Sequence, residues 1–229
     1  MLYDLETVKA NIRNREGKRV FFLAKGDQLT TSARDFLTNR RIEIRPADTA
    51  KMETYRLLNG GVLTEKPEHM THLYGDVLVA KTHPRIAFRG AVDHLEAELL
   101  LCQQTAPHLV GKLQEILDQT RRLISCEVLN EPVEEKPLCG LTADQLRTHS
   151  HYPQAHYGQS HFMPSVSDGP VILQLNKART VARHAELVAV AAFTDENENP
   201  TREDILRCLN RLSSMLYILM IQEKAQKVK

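Results

Sequence analysis

Residues 176–192 read NKARTVARHAELVAVAA, and the alanines in this stretch predict a closely packed helix. Five of them follow one another at steps of four and three: Ala178, Ala182, Ala185, Ala189 and Ala192. That spacing places their side chains in one stripe along a helix. Because alanine side chains are small, a neighbouring helix can approach this stripe closely. The stretch therefore indicates a helix that packs within a group of helices.

Three further stretches have the same helical period, and each begins near a proline, at positions 84, 107 and 200. Their apolar stripes comprise Phe88, Val92, Leu95, Leu99 and Cys102; Leu113, Ile116, Thr120 and Leu123; and Ile205, Leu209, Leu212, Leu216 and Leu219. Four long helices joined by loops predict a mostly α protein, an antiparallel bundle of four to five helices. Such stripes form the core by default and carry no information about chemistry.

The first part of the chain has a different pattern, which predicts a small mixed α/β extension over residues 1–67. A short helix is expected within residues 4–14, a strand at 19–24, a helix over 31–39 and an edge strand at 41–45. Residues 46–70 contain Gly60, Gly61 and Pro67 with little periodicity, which is typical of a connector. The predicted domains are therefore residues 1–67 and residues 68–229.

The charges nearly balance, with 30 Lys and Arg residues against 29 Asp and Glu residues in 229. No overall basic field favours nucleic acid or an anionic membrane, so any phosphate site must be built locally. We expect a soluble cytoplasmic protein, because the sequence has neither a signal peptide pattern nor an apolar run of membrane-spanning length. The four cysteines are far apart without CxxC spacing, which predicts buried, reduced thiols.

The alanine-rich stretch also contains a row of charged side chains. Arg179, Arg183 and Glu186 follow at i, i+4 and i+7, so they lie on one side of the helix. Two guanidinium groups one turn apart offer forked donors suited to phosphate oxygens. The alternative is a solvated face with an internal Arg–Glu pair. Asp93, beside the first apolar stripe, either orients an arginine of another helix or is simply exposed.

Two other groups of polar residues leave alternatives open. Asn210 and Arg211 interrupt an otherwise apolar helix, either as ligand contacts or as residues turned outward. Four histidines lie in a predicted loop over residues 149–170: His149, His151, His156 and His161. Imidazole is a common metal ligand, but the spacings match no standard motif and no carboxylate or thiol lies among them. We predict no metal site, and the sequence leaves metal binding by these histidines open. It contains no GxxxxGK[ST], GxGxxG or HExxH motif.

Three segments, in this order, resemble the motifs of cobalamin adenosyltransferases. They are residues 81–95 (KTHPRIAFRGAVDHL), 179–186 (RTVARHAE) and 209–217 (LNRLSSMLY). Two other features are similar to the ethanolamine-utilisation branch of that family. These are SHYP at 150–153 followed by HFMP at 161–164, and LTTSAR at 29–34 in place of the usual ATP loop. The chain is thus identified as a member of that branch.

The resemblance implies a reaction in which the cobalt of cob(I)alamin attacks C5′ of ATP and expels triphosphate. It implies ATP and cobalamin as ligands, with Mg²⁺ assisting. By resemblance, Arg179 and Arg183 bind the triphosphate, and Asp93 holds Arg179 in place. Asn210 contacts the nucleotide, Glu186 supports the two arginines, and Lys81 contacts a phosphate. Phe162 excludes the lower axial ligand of cobalt.

The resemblance also implies partners and a place in the cell. Family members form trimers with the nucleotide between subunits, so we expect a homotrimer. A corrinoid reductase would supply cob(I)alamin, and an adenosylcobalamin-dependent lyase such as ethanolamine ammonia-lyase would receive the product. The expected location is the cytoplasm, or the interior of a bacterial microcompartment.

Three departures from the family pattern bear on these expectations. Many members of the branch carry a metal-binding His and Cys cluster, whereas residues 50–80 contain no cysteine, which predicts that this metal is absent. His184 replaces the second arginine of an R-R pair, and Ser214 replaces an aspartate. Two other readings are a propanediol-type adenosyltransferase and a non-catalytic carrier that binds ATP or corrinoid.

Overall fold

The alanine-rich stretch lies within a 24-residue helix, Gly169–Ala192. This is seen in the computed structural model of the chain, which describes residues 2–15, 17–47 and 54–227. Pro170 stands in the first turn, where its missing N–H removes no helical hydrogen bond. Four of the five alanines are fully buried: Ala178, Ala182, Ala185 and Ala189. The prediction that this face packs closely against other helices is confirmed.

The described residues contain eight α-helices: α1 Leu5–Ala10, α2 Thr31–Asn39, α3 Pro84–Thr105, α4 Val110–Leu129, α5 Ala143–His151, α6 Pro153–Tyr157, α7 Gly169–Ala192 and α8 Glu203–Lys227. Two short 3₁₀ helices, Pro107–Leu109 and Val166–Asp168, precede α4 and α7. The protein is mostly helical, as predicted. None of the described helices is long and apolar enough to span a bilayer.

The four long helices form an antiparallel bundle. Helix α7 packs against both α3 and α8, while α4 packs against the other sides of α3 and α8. Phe88, near the start of α3, stacks edge-on with Phe193, just after α7. Cys102, near the end of α3, donates to the carbonyl of Gln174 near the start of α7. The two contacts show that α3 and α7 run in opposite directions.

The predicted apolar stripes of α3, α4 and α8 are buried in one continuous core. The polar member of these stripes, Thr120, donates its hydroxyl to the Ile116 carbonyl over 2.8 Å, so no hydrogen bond is lost by burial. Glu127 at the end of α4 is also fully buried. Arg89 donates to Glu127 Oε2 over 2.8 Å, and Arg85 binds the other oxygen. The two guanidinium groups offset the cost of burying that carboxylate and fix the start of α3.

The chain divides into two compact units, residues 1–83 and residues 84–229. The first contains small sheets made of nine strands in the described residues: β1 Leu2–Tyr3, β2 Arg13–Arg15, β3 Lys18–Leu23, β4 Gln28–Leu29, β5 Glu43–Pro46, β6 Tyr55–Leu57, β7 Val62–Leu63, β8 Met70–Tyr74 and β9 Val77–Ala80. The sheet orders are β1-β4, β2-β3-β5 and β7-β6-β9-β8. Strand β3 pairs antiparallel with β2 and parallel with β5.

Side-chain caps begin both helices of this unit. Asp4 accepts from the backbone N–H of Thr7 at the start of α1, and Thr30 accepts from that of Ala33 at the start of α2. The structure places α1, β3, α2 and β5 where the sequence predicted a helix, a strand, a helix and an edge strand. Alternation of apolar side chains and local capping were therefore sufficient signals here.

Two segments differ from the sequence-based expectation. Residues 46–70 were expected to be a connector, yet they contain β6 and β7, while their part 48–53 lies outside the described residues. Strands of two or three residues show too little alternation to be recognised. The predicted histidine-rich loop contains α6, which Pro153 begins and Gly158, at φ +69°, ends. The first compact unit ends at His83. The predicted domain boundary after residue 67 stays a prediction.

Candidate active site

The paired arginines of α7 lie one turn apart on the same side of the helix, followed by Glu186. Arg179 is half-buried and Arg183 is exposed. Burial lowers the pKa of Arg179, and the nearby positive charge of Arg183 lowers it further. Within the described part of the chain, Arg183 makes no hydrogen bond or ion pair. This row therefore presents an uncompensated positive charge that an anion can bind.

Contacts with α8 hold the row in place. The side-chain amide of Asn210 donates to Glu186 Oε1 over 3.1 Å. Arg179 donates to Asn176 Oδ1 at 3.2 and 3.0 Å, and its guanidinium carbon lies 5.9 Å from the ring centroid of Tyr217. A guanidinium group that stacks on an aromatic ring has a restricted orientation. The α7 row thus lies alongside Asn210 and Tyr217 of α8.

Asn210, Ser214 and Tyr217 form the outward side of α8, at steps of four and three. The opposite side of the helix is buried, with Leu212 and Leu216 in the bundle core. A cleft of about 330 Å³ opens beside Asn210 and Ser214, between α5 and α8. We use the name α8 groove for the surface made of Asn210, Ser214 and Tyr217, the α7 row of Arg179, Arg183 and Glu186, and the α5 cleft.

The cleft is rich in positive charge. Arg147 of α5 and Arg207 and Arg211 of α8 line it, and Asp144 is the acidic residue of the lining. Part of that charge is neutralised, because Glu135 lies 3.2 Å from Arg211 and Arg207 pairs with Glu203 over 2.6 Å. Arg211 Nε is buried without a hydrogen-bond partner in the described residues. The cleft therefore suits an anionic group with several acceptor oxygens.

Arg211 was a candidate ligand contact from its place in the sequence, whereas Arg147 and Arg207 were not predicted. A local signal was present for Arg207, because Arg207, Asn210, Arg211 and Ser214 follow at i, i+3, i+4 and i+7 and make a polar stripe. No local signal marks Arg147, which reaches the cleft only because α5 packs on α8.

The segment between α6 and α7 brings Phe162 towards the Tyr217 end of the groove. His161 Nδ1 lies 2.6 Å from the Tyr217 hydroxyl, and His161 Nε2 lies 3.2 Å from the carbonyl oxygen of His151. Because a carbonyl only accepts, Nε2 of His161 donates to His151, and in the neutral form of the ring Nδ1 accepts from Tyr217. Burial raises the pKa of Tyr217, so its hydroxyl keeps the proton that it donates. Phe162 is half-buried against the bundle core, next to this fixed histidine.

Asp93 is not joined to the groove by contacts within the described part of the bundle, and Lys81 belongs to the other compact unit. Asp93 is exposed on α3 and makes no hydrogen bond or ion pair among the described residues. Its expected partner, Arg179, is bound to Asn176 instead. Lys81 belongs to the N-terminal unit, where its ammonium donates to Glu68 over 2.8 Å.

The four histidines do not converge. The rings of His149 and His156 stack with centroids 3.7 Å apart, and His149 Nδ1 lies 2.7 Å from the Tyr157 hydroxyl. His151 lines the cleft, and His161 is held by Tyr217 as described above. Within residues 2–15, 17–47 and 54–227, no group of three or more His, Cys, Asp or Glu side chains could hold a metal ion.

Comparison with known proteins gives a consistent result. A family model described as cobalamin adenosyltransferase matches residues 62–223. The chain is 30% identical to the corrinoid adenosyltransferase EutT of Salmonella typhimurium, over 96% of this chain and 91% of that relative. It is 29% identical to EutT of Escherichia coli K12, over 93% and 89%. The corrinoid adenosyltransferase PduO of Salmonella typhimurium is 30% identical, but over only 65% of this chain and 45% of that relative.

Solved structures agree on the fold. A variant PduO-type ATP:corrinoid adenosyltransferase from Lactobacillus reuteri, complexed with cobalamin and ATP, superposes with a TM-score of 0.50 at 18% identity, covering 79% of this chain and 91% of that chain. A second variant of that enzyme, complexed with ATP, gives a TM-score of 0.50 at 19% identity, covering 70% and 92%. At such identities the likeness concerns the helical bundle alone.

Proposed function

The chain belongs to the cobalamin adenosyltransferase family, and we propose that its α8 groove is where it adenosylates cobalamin. It is a corrinoid adenosyltransferase of the ethanolamine-utilisation type, an enzyme that transfers an adenosyl group from ATP to cobalamin. The match to EutT extends over nearly the whole chain, whereas the match to PduO does not, which supports this type over the propanediol type.

In the proposed step, cob(I)alamin supplies the electron pair that forms a cobalt–carbon bond to C5′ of ATP. The bond between C5′ and the triphosphate oxygen breaks, and triphosphate leaves with that electron pair. Negative charge therefore accumulates on the leaving group, where fixed positive groups stabilise it. Arg183 is proposed as the chief such group, because it is exposed in the groove without an ion pair in the described residues. Arg179, oriented by Asn176 and Tyr217, supports it.

The remaining predicted groove residues have compatible positions. Asn210 would contact the nucleotide from the floor of the groove. Glu186 accepts a hydrogen bond from the side-chain amide of Asn210 and so holds Asn210 in place. Phe162 is proposed to press on the lower face of the corrin and exclude a donor from cobalt. Its half-buried ring at the Tyr217 end of the groove supports that role.

Mg²⁺ is proposed to accompany ATP. A magnesium ion is usually held by one or two carboxylates together with phosphate oxygens. The described residues lack a cluster of metal ligands, but Glu186 is a carboxylate beside the arginine row, so this donor set fits an ion that takes most of its ligands from the nucleotide. When bound, the ion would offset charge on the phosphates.

A homotrimer with the nucleotide between subunits is proposed because Arg183 of the groove and Asp93 of α3, outside the groove, both lack partners among the described residues of one chain. Asp93 and Arg183 are both exposed and unpaired in the described residues. Leu187, which follows Arg183 by one turn on α7, is 70% exposed, and Val190 is 43% exposed. An apolar surface around the arginine suits a subunit contact, which would bring Asp93 of one chain to the arginines of the next. Lys81 is proposed to reach a phosphate.

The wider role is also a proposal. A corrinoid reductase would supply cob(I)alamin, and an adenosylcobalamin-dependent lyase, such as ethanolamine ammonia-lyase, would use the product. A cytoplasmic or microcompartment location and the boundary after residue 67 are proposed on the same family resemblance.

The uncompensated charge of Arg183 in the groove is the observation on which the assignment chiefly rests, so its removal is the test. Purified chain is mixed with Mg-ATP and cob(II)alamin under anaerobic reductant, and light-sensitive adenosylcobalamin is followed by absorption. Arg183→Ala should lower turnover by roughly 100-fold or more, as expected for the loss of a transition-state charge contact.

Arg121→Ala is the matched control, because Arg121 is an exposed arginine of α4 that pairs with Glu96 over 2.9 Å. It should keep the wild-type rate, and both variants should keep the helical circular dichroism. A normal rate for Arg183→Ala would refute the role given to the groove. Binding of cob(II)alamin by wild type without product would indicate a carrier instead.

A further inference from the structure

The segment that carries Phe162 is fastened to α8 on both sides of that residue. On one side, His161 is bound to Tyr217 of α8. On the other side, Asp168 is bound to Lys224 of α8. Between these points lie the exposed Met163, 90% accessible, and Val166, 87% accessible, which contribute little packing. Phe162 itself packs against the bundle core, and the two anchor points fix the segment on either side of it.

Asp168 is a strong anchor because it is only 2% exposed and both of its carboxylate oxygens accept hydrogen bonds. Its Oδ2 accepts from the backbone N–H of Ser165 at 2.7 Å and from the Ser165 hydroxyl at 3.1 Å, and Oδ1 accepts from Lys224. Lys227 donates to the Asp168 carbonyl. The Lys224 ammonium is the main reason that the pKa of the Asp168 carboxyl is lowered. A buried carboxylate that loses its cation is strongly destabilised. The position of Asp168 at this end of the segment therefore depends on its ion pair with Lys224.

Gly169, next to Asp168, lies close to the tip of the Lys227 side chain of α8. Its φ is +80°, and a β-carbon at this position would lie 3.1 Å from the Lys227 ammonium. Any other side chain would be strained by the backbone and would crowd the lysine.

Lys224 also contacts Phe162 directly. Its ammonium lies 5.5 Å from the centroid of the Phe162 ring, within the range in which a cation is attracted to an aromatic face. One ammonium group therefore binds both the anchor of the segment and the side chain that the segment carries. A reaction that needs a ring held against one face of the corrin depends on such fixed placement.

We propose that Lys224 is a positioning residue that holds Phe162 where it excludes the lower axial ligand of cobalt. This rests on the proposed role of the α8 groove. Lys224 touches no reacting atom; it acts through Phe162 and Asp168.

The test compares Lys224→Met with wild type in the presence of ATP and cob(II)alamin. The fraction of cob(II)alamin that loses its lower ligand is measured from its four-coordinate absorption and paramagnetic resonance signals. We expect that fraction to fall several-fold and kcat to fall about tenfold, while KM for ATP stays within twofold. Lys224→Arg should restore most of both. Lys136→Met, which removes an exposed lysine paired with Glu134, is the control and should change neither.

A double substitution separates positioning from a general structural effect. In a Phe162→Ala background, Lys224→Met should lower the four-coordinate fraction no further, because the direct contact and the anchor at Asp168 both act by placing the Phe162 ring. Lys224→Gln keeps a donor towards Asp168 and allows the same comparison if the methionine variant does not fold. An unchanged four-coordinate fraction in folded Lys224→Met, or full additivity with Phe162→Ala, would overturn the inference. Failure of wild type to make adenosylcobalamin would instead refute the proposed function.

Discussion

The four thiols lie in surroundings that oppose ionisation. Burial raises the pKa of Cys102 and of Cys139 to about 12 and that of Cys208 to about 11, and it also raises the pKa of Cys126. All four are free in the structure, and three are buried, with Cys139 partly so. The prediction of buried, reduced thiols is therefore confirmed for three of them. Because only the thiolate reacts, these groups should be inert near neutral pH.

We predict that the native chain reacts slowly with an aromatic disulfide reagent at pH 8. With a pKa of about 12, on the order of one thiol in 10⁴ is ionised at that pH, so reaction should take hours. In denaturant, four thiols per chain should react within minutes. Release of the coloured thiolate measures both, with glutathione as the reference. Fast stoichiometric reaction of the folded chain would show that the thiols are not shielded as described.

For single side chains, the sequence predicted the placements that depend only on spacing along one helix. Arg179, Arg183 and Glu186 share a side of α7 because they belong to one helix. The contact between Lys224 and Phe162 could not be predicted, since it joins residues 62 positions apart (224 − 162) through the packing of a loop on α8. The pairing of Asp93 with Arg179 was expected from resemblance, and within one chain Arg179 binds Asn176. Its occurrence between chains stays a prediction.

Helix α7 packs closely against its neighbouring helices through small buried side chains. Its buried alanines face α3 and α8, the two helices against which it packs most extensively. Ala182 and Ala185 are fully buried, so the neighbouring side chains fill the space that a larger residue would need. The approach of these helices, and hence the distance between the arginine row and Asn210, depends on the small side chains.

We predict that Ala182→Leu destabilises the bundle. Three extra carbons in a packed interior typically cost about 1–3 kcal/mol of the free energy of unfolding. Thermal denaturation followed by far-ultraviolet circular dichroism, which reports helix content, should show a lower midpoint. Gln226→Leu, at an exposed position near the end of α8, is the control and should melt as wild type does. Equal midpoints for the two variants would show that the Ala182 site has room.

The elements themselves were predictable in proportion to their length. The four bundle helices, of 20 to 25 residues, each repeat the apolar period several times. Helix α6 has five residues and strand β7 has two, so neither completes enough of a period to be recognised. Pairing with a neighbouring strand, as β7 pairs with β6, stabilises an element whose own sequence shows no period.

For the whole molecule, the proposed trimer makes a quantitative prediction about shared sites. If Arg183 and Asp93 of one site come from different chains, Arg183→Ala and Asp93→Ala should each be inactive, yet a mixture should recover activity. In trimers assembled at random from equal amounts, roughly a quarter of the interfaces combine an intact arginine with an intact aspartate. The activity of the mixture should therefore approach about a quarter of wild type.

The mixture is prepared by denaturing and refolding the two variants together, and by refolding each alone as the control. Sedimentation should give about three times the chain mass of 26.0 kDa in every sample. No recovered activity in mixed trimers would place both residues in one chain or remove Asp93 from the site. A monomeric mass would refute the trimer itself.

Helix α8 supplies the groove floor with Asn210, Ser214 and Tyr217 and the bundle core with Leu212 and Leu216. Successive residues are about 100° apart around a helix, so a slight rotation that relieves one side misaligns the other. Substitutions on α8 that raise thermal stability are therefore limited to those that keep its outward side in place. Arg147 and Ser150 of α5, by contrast, line the cleft without belonging to the bundle core, so substitutions there change the cleft while the core keeps its packing.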